Sequence, residues 1–268
     1  MPDWIDTHCH LDAAEFADDR DAVYAAATAG GVASIVVPGV EVGGFAALRD
    51  CCRQYAGCQP AYGIHPLYVQ RANPEDLVTL RRWIESEQPV AVGEIGLDFY
   101  VDGIDPYRQE FYLVEQLKIA RDYDLPVLLH VRRAVDAVLR QLRRIGGRGI
   151  AHAFNGSRQQ AEELIRRGFK LGVGGAMTFS GSRRIRELAA TLPLEALVLE
   201  TDSPDIPPEW LGGGRNTPDQ LPRMAAVLAE LRKVDVASVA AFTNAAAREI
   251  MPRLAGSFPG TPFESNPP

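Results

Sequence analysis

The sequence predicts an α/β protein built as a single (β/α)8 TIM barrel. Three observations lead there. Short β-branched apolar runs alternate with longer segments of helical period along the whole chain. Eight such runs occur in 268 residues, a length that suits one barrel of about 250 residues. Each of the five histidines falls at or just past the end of a predicted strand, and barrels of this kind carry their active sites at that C-terminal rim. A doubly wound open sheet is the alternative. It would have fewer strands, and a nucleotide-binding version would carry a glycine fingerprint where this chain has His8-Cys9-His10.

The first strand, 4–8, reads Trp4-Ile5-Asp6-Thr7-His8 and precedes a helix over 18–29. Strand 33–38 precedes helix 43–55. Strand 59–64 precedes helix 74–87, where Pro74 suits the first turn. Strand 89–94 ends in Glu94 and leads to helix 106–123, opened by Pro106. Strand 126–130 is paired with helix 133–144, and strand 149–152 with helix 157–167, which Gly168 closes. Strand 170–174 precedes helix 182–190. Strand 196–201 is followed by a Pro- and Gly-rich loop, 203–217, well placed to rim an active site. Helices over 218–232 and 235–250 complete the pattern. No repeat or linker divides residues 1–255, which read as the barrel, and 256–268 read as a mobile tail rich in Pro, Gly and Ser.

Composition narrows the class. With 46% hydrophobic and 24% charged residues the chain is globular, not low-complexity or collagen-like. No apolar run reaches the ~20 residues of a membrane span, and Met1 to Asp6 lack the layout of a signal peptide. The four cysteines form no CxxC pairs, which predicts a reduced, cytoplasmic protein. A net charge of −7 argues against coating nucleic acid by bulk electrostatics. It leaves room for a small pocket in which a metal ion inverts the local charge.

The histidines and two carboxylates supply such a pocket. His8 and His10 stand two apart and project to one side of an extended strand, leaving Cys9 to packing. His130 and His152 end the fifth and sixth strands, and Glu94 and Asp202 close the apolar fourth and eighth. A charge closing an apolar strand is expensive unless it meets a metal or a partner. Six ligands (His8, His10, Glu94, His130, His152 and Asp202) exceed what one zinc ion takes, so two divalent ions bridged by Glu94 is the economical reading. One ion falls to His8, His10, Glu94 and Asp202, and the other to Glu94, His130 and His152. Such ligands suit Zn, Mn, Fe or Co, and Mg remains open. Two ions about 4 Å apart serve hydrolysis in which attacking and leaving oxygens both need stabilising.

These residues resemble the TatD-type metal-dependent deoxyribonucleases, within the wider amidohydrolase-like barrels. The resemblance covers residues 4–250. It rests on Asp6-Thr7-His8-Cys9-His10-Leu11-Asp12, Gly63-Ile64-His65-Pro66 and Gly93-Glu94-Ile95-Gly96-Leu97-Asp98. It continues through Leu125-Pro126 to His130, Leu199-Glu200-Thr201-Asp202-Ser203-Pro204, and Arg215-Asn216-Thr217-Pro218. The order and spacing of these motifs together are specific. The resemblance implies two divalent metals, a metal-activated water, phosphodiester hydrolysis and, as for some members, 3′→5′ exonuclease action on DNA ends. It also implies that Asp202 is the general base as well as a ligand. Two segments depart from the pattern: Ala153-Phe154-Asn155-Gly156, where many members have a small hydroxyl residue before the glycine, and Gly172 to Thr178.

The remaining candidates are substrate-binding. His65, held extended by Pro66, is placed to hydrogen-bond a phosphate, and Arg132 to meet one bidentately. Arg215 and Asn216 follow three glycines and are expected to cover the pocket from a mobile loop, helix-capping being the alternative for Asn216. Glu200, two before Asp202, is expected to orient a ligand histidine. An amide or ester hydrolase, including aminoacyl ester cleavage, is the alternative activity. Many such barrels bridge their metals with a modified lysine at strand four, where this chain has Glu94.

Overall fold

A computed structural model describes residues 3–254. Eight parallel strands run in sequence order: β1 Trp4–Asp6, β2 Val32–Pro38, β3 Cys58–Tyr62, β4 Ala91–Asp98, β5 Val127–Arg132, β6 Gly149–Ala151, β7 Phe169–Val173 and β8 Leu197–Leu199. Nine helices surround them among the described residues: α1 Arg20–Ala29, α2 Phe45–Gln54, α3 Pro74–Glu87, α4 Pro106–Asp122, α5 Val135–Ile145, α6 Arg158–Arg166, α7 Arg183–Thr191, α8 Leu221–Arg232 and α9 Val236–Ile250. The seam between β8 and β1 is bridged at its C-terminal end. There the Thr7 amide donates to the Leu199 carbonyl at 3.0 Å, and the Asp202 amide to the His8 carbonyl at 2.8 Å. The segment 256–268, expected to be a mobile tail, lies outside the described residues.

Local chemistry explains the helix starts. Asn73 and Asp76 form a capping box ahead of Pro74, and Ser157 and Gln160 form another ahead of α6. Asp105 accepts from the Tyr107 amide and Pro106 occupies the first turn of α4.

Packing forms two layers. Ile5, Val36, Ala61, Ala91, Leu128, Ile150 and Val198 make one buried cluster, one residue from each strand but β7, with Ala246, Ala247 and Ile250 of α9 and Met251 just after it. This is the inside of the barrel, with the end of α9 packed against it. Alternate residues such as Ile35, Leu97, Leu129 and Leu171 pack outward against the helices.

The same alternation places the site. Leu128 and Ile150 face inward, so His130 and His152, two residues on, share that face near the C-terminal rim. Glu94 differs from the sequence expectation. It lies inside β4, which runs on to Asp98, and does not end the strand. The register with β5 slips between Val92 and Ile95, an irregularity of the kind that re-aims a side chain. Ala91 faces inward, and the extra residue shifts the parity so that Glu94 faces inward too. Beyond the bulge Gly96 lies against the His130 backbone, where an added Cβ would sit 1.9 Å from its carbonyl oxygen. Glycine therefore allows β4 to continue beside β5.

Candidate metal centre

Glu94 is 2% exposed and stands among the imidazoles. Its two oxygens face different partners. Oε2 lies 3.1 Å from His8 Nε2 and 3.6 Å from His10 Nε2. Oε1 lies 2.9 Å from His130 Nδ1, 3.0 Å from His152 Nε2 and 3.5 Å from His65 Nε2. Asp202 Oδ1 completes the first side, 3.5 Å from His8 Nε2 and 3.8 Å from His10 Nε2, and it also stands 3.8 Å from His152 Nδ1. Among the described residues three sets of donors come close enough to hold an ion: His8, His10 and Glu94; His8, His152 and Asp202; and His65, Glu94 and His130. The structure thus brings all five histidines to one rim. It places His152 between the two sides, with its ring stacked on His8 at 4.0 Å.

Neighbouring groups fix the orientation of these rings. Asp98 Oδ2 sits 2.9 Å from His130 Nε2, while its Oδ1 accepts the amides of Tyr100 and Val101 at 2.8 and 3.1 Å. Burial works against the charged form of Asp98, but the His130 contact and the two amides outweigh it and hold its pKa at about 2. An ionised carboxylate only accepts, so the proton of His130 sits on Nε2 and Nδ1 turns to Glu94. His130 Nδ1 and Glu94 Oε1 are then two acceptors 2.9 Å apart unless a proton or a cation lies between them. That requirement fits a metal centre.

His65 has the opposite polarity. Its Nδ1 accepts the Leu67 amide at 3.2 Å, so the proton lies on Nε2, which points at His130 Nδ1 3.1 Å away. Burial pushes its pKa down, which keeps the ring neutral. His65 therefore offers the centre an N–H rather than a lone pair.

Electrostatics match a site built for positive charge. Burial favours protonation of Glu94, yet the surrounding imidazoles, His152 foremost, together with the His130 contact hold it well below the usual carboxylate range. His8 is pushed down to about 3 by burial and by neighbouring His152. His152 is carried up to about 10: burial opposes this, and Glu94 and Asp202 prevail. Burial raises Asp202 and takes Glu200 to about 8.

Other expected residues are placed as follows. Asp202 lies beyond β8 in a left-handed conformation, φ 59°, its carboxylate in the cluster rather than capping a helix. Glu200 is 3.8 Å from His152 Nδ1 and accepts the amide of Ala153 at 2.5 Å, so it holds the chain beside His152. Arg132 is exposed at the end of β5, stacked on Tyr100. Arg215, expected over the pocket, instead pairs with Asp19 at 2.6 Å, donates to the Glu15 carbonyl and covers Phe16. The Asp19 carboxylate occupies the guanidinium that a phosphate would need. Asn216 is fully buried, and its amide donates to the carbonyls of Thr201 and Asp205, fastening the loop after Asp202.

Two supporting residues escaped the sequence reading. Asp98 shares a strand with Glu94 and was visible as the last residue of the Gly93–Asp98 motif. Asp6, fully buried, accepts the amides of His8 and Thr201 and the Thr201 hydroxyl, tying the start of the histidine pair to the segment that carries Asp202. Its signal was its place at the head of the Asp6–Asp12 motif, two residues before His8.

Comparison with known proteins agrees with this geometry. The family model described as TatD related DNase matches residues 5–252. An uncharacterized metal-dependent hydrolase of Escherichia coli, YjjV, is 42% identical over 234 residues, 86% of this chain and 90% of that protein. A protein of Cronobacter sakazakii named 3′-5′ ssDNA/RNA exonuclease TatD is 34% identical over 257 residues, 92% of this chain and 97% of its own. The crystal structure of Escherichia coli YjjV superposes with a TM-score of 0.89 at 39% identity, covering 93% of this chain and 98% of that one.

Proposed function

Because the chain belongs to the TatD-related DNase family of metal-dependent hydrolases, we propose that it is a two-metal phosphodiesterase that shortens single-stranded nucleic acid from the 3′ end. One observation carries the reading: the two oxygens of buried Glu94 face two separate groups of imidazoles. The exonuclease name of the Cronobacter relative supports the choice of substrate.

His8, His10, Asp202 and Glu94 Oε2 would hold one ion, and His130, His152 and Glu94 Oε1 the other. Bound divalent ions supply a water acidified toward neutrality and positive charge for the phosphoryl oxygens. The chain's own residues do the rest. Asp202 is the proton acceptor for the attacking water, and its burial strengthens its hold on that proton. His65 Nε2–H donates to a non-bridging phosphate oxygen. Asp98 keeps His130 in the tautomer that offers Nδ1. Arg132, which meets no carboxylate among the described residues, receives a phosphate at the rim.

The test is a product assay on 5′-end-labelled single-stranded DNA with Mg²⁺ or Mn²⁺, beside a panel of small esters, aminoacyl esters and cyclic amides. The expected result is a ladder that shortens from the 3′ end and disappears with chelator. Turnover of an ester or amide with no cleavage of DNA or RNA would replace this reading with the amide or ester hydrolase.

A further inference from the structure

The segment after β4 exposes Phe99, Tyr100 and Val101 beside the metal centre. It is rigidly held. The Phe99 amide donates to the Arg132 carbonyl at 2.9 Å, and the next two amides bond to Asp98. Asp98 is the same carboxylate that holds His130, so Tyr100 lies one side chain away from the imidazole at the centre.

The Tyr100 ring carries two cations. The Arg132 guanidinium carbon lies 3.8 Å from the ring centroid and that of Arg133 lies 4.6 Å away. Successive residues of an extended strand point to opposite faces. These two reach one ring because β5 ends at Arg132 and Arg133 turns into a left-handed conformation, φ 54°. Among the described residues neither guanidinium meets a carboxylate within 4.0 Å, whereas Arg143, Arg148 and Arg215 are each paired. Two unneutralised guanidiniums beside each other repel, and an anion removes that cost. His130 and Arg132 share a strand face and are separated by about 6.6 Å along it. That step is comparable to the spacing of successive phosphates in an extended single strand.

We propose that Tyr100, Arg132 and Arg133 form a subsite for the nucleotide that flanks the scissile bond. The guanidiniums take its phosphate, and the half-exposed aromatic ring with its stacked guanidinium planes takes its base. Phosphate alone would need only the cations. The exposed ring beside them selects a nucleotide. Stacking reads a π-face rather than a hydrogen-bond pattern, so the subsite accepts any base. This inference rests on the phosphodiesterase reading and adds which residues grip the strand.

The experiment measures binding of a fluorescein-labelled single-stranded hexanucleotide by anisotropy in Ca²⁺, for the wild type, Tyr100→Leu, Tyr100→Phe and Arg133→Gln. It also compares kcat/KM for the hexanucleotide with that for bis(p-nitrophenyl) phosphate, a diester with no flanking phosphate or base. Tyr100→Leu is expected to weaken binding about tenfold, and Tyr100→Phe to retain it. Arg133→Gln is expected to lower the log–log salt slope by about 0.7, the value of one phosphate on a single strand. In Tyr100→Leu and Arg133→Gln the preference for the hexanucleotide over the minimal diester should fall several-fold. Unchanged affinity and preference in both variants would overturn the subsite, as would a loss shared equally by the two substrates. If the wild type cleaves neither substrate with any divalent ion, the phosphodiesterase reading fails. The anisotropy arm still decides whether Tyr100 and Arg133 grip the strand.

Discussion

Asp98 holds His130 through a 2.9 Å contact to Nε2, and so decides which nitrogen of that imidazole faces Glu94. Such partners of ligand histidines typically account for 10–100-fold in metal affinity, an order-of-magnitude expectation. Asp98→Ala is therefore expected to weaken the second of two metal-binding steps by about that factor, with less effect on the first. Metal titration against a competing chelator reads both steps, and equal weakening of the two would argue against the assignment of His130.

Asp98 also sets a pH dependence of stability. Its folded pKa, about 2, lies below its ordinary value of 3.8. A depressed carboxylate contributes stability above the ordinary value and loses it as pH falls through the folded one. The metal-free protein should lose this contribution between pH 3.8 and about 2. In Asp98→Asn, urea unfolding followed across that window should show a shallower loss than the wild type. Parallel curves would mean that Asp98 is not held ionised by His130.

Metal binding should release protons. Without metal, His152 is held protonated up to about pH 10 by Glu94 and Asp202, against the effect of burial. A ligand imidazole must give up that proton. Calorimetric titration at pH 7.5 in buffers of different ionisation enthalpy is expected to show about one proton released per chain from this residue. The release should fall by about one proton in His152→Ala. Equal release in the wild type and the variant would remove His152 from the ligand set.

Gly172 is the steric condition for Glu200. A Cβ at Gly172 would sit 2.1 Å from Glu200 Oε2, on a carboxylate that is 1% exposed. Gly172→Ala is expected to cost about 2 kcal/mol of stability, as overpacking against a buried side chain does. Adding Glu200→Ala should return part of that loss, a coupling readable from a double-mutant cycle in urea. Additive losses would show that the two positions do not compete for space.

Salt dependence tests how an acidic protein handles a polyanion. With a net charge of −7 only a local pocket can offset repulsion, so the chain should grip one or two nucleotides at a strand end. The log–log salt slope for single-stranded DNA binding in Ca²⁺ is expected to be on the order of −1 to −2. A slope near −4, about that of a six-phosphate binder, would point to an extended basic track instead.

Much of this organisation was legible in the sequence because it follows periodicity. The helix over 74–87 was read to its ends, since Pro74 and the capping residues are local signals. His130 and His152 could be placed at one rim because strand parity carries them inward from Leu128 and Ile150. Glu94 was read as the end of its strand because Gly93-Glu94 interrupts the apolar run. That interruption is a bulge, which only pairing with β5 reveals. Arg215 was misplaced for a related reason. Its partner Asp19 lies 196 residues earlier, and no local pattern announces an ion pair across that separation. Tyr100 and Arg133 were invisible for want of a pattern, since a left-handed turn after a strand is decided by tertiary packing.

Glu94 is proposed to divide two metal sites. Anomalous diffraction from crystals grown with Mn²⁺ tests it most directly, with Glu94→Gln as the paired control. Two peaks are expected in the wild type. One should contact Oε2 with His8, His10 and Asp202, and the other Oε1 with His130 and His152, with at least one lost in the variant. A single fully occupied peak, or two peaks of which neither touches Glu94, would contradict it.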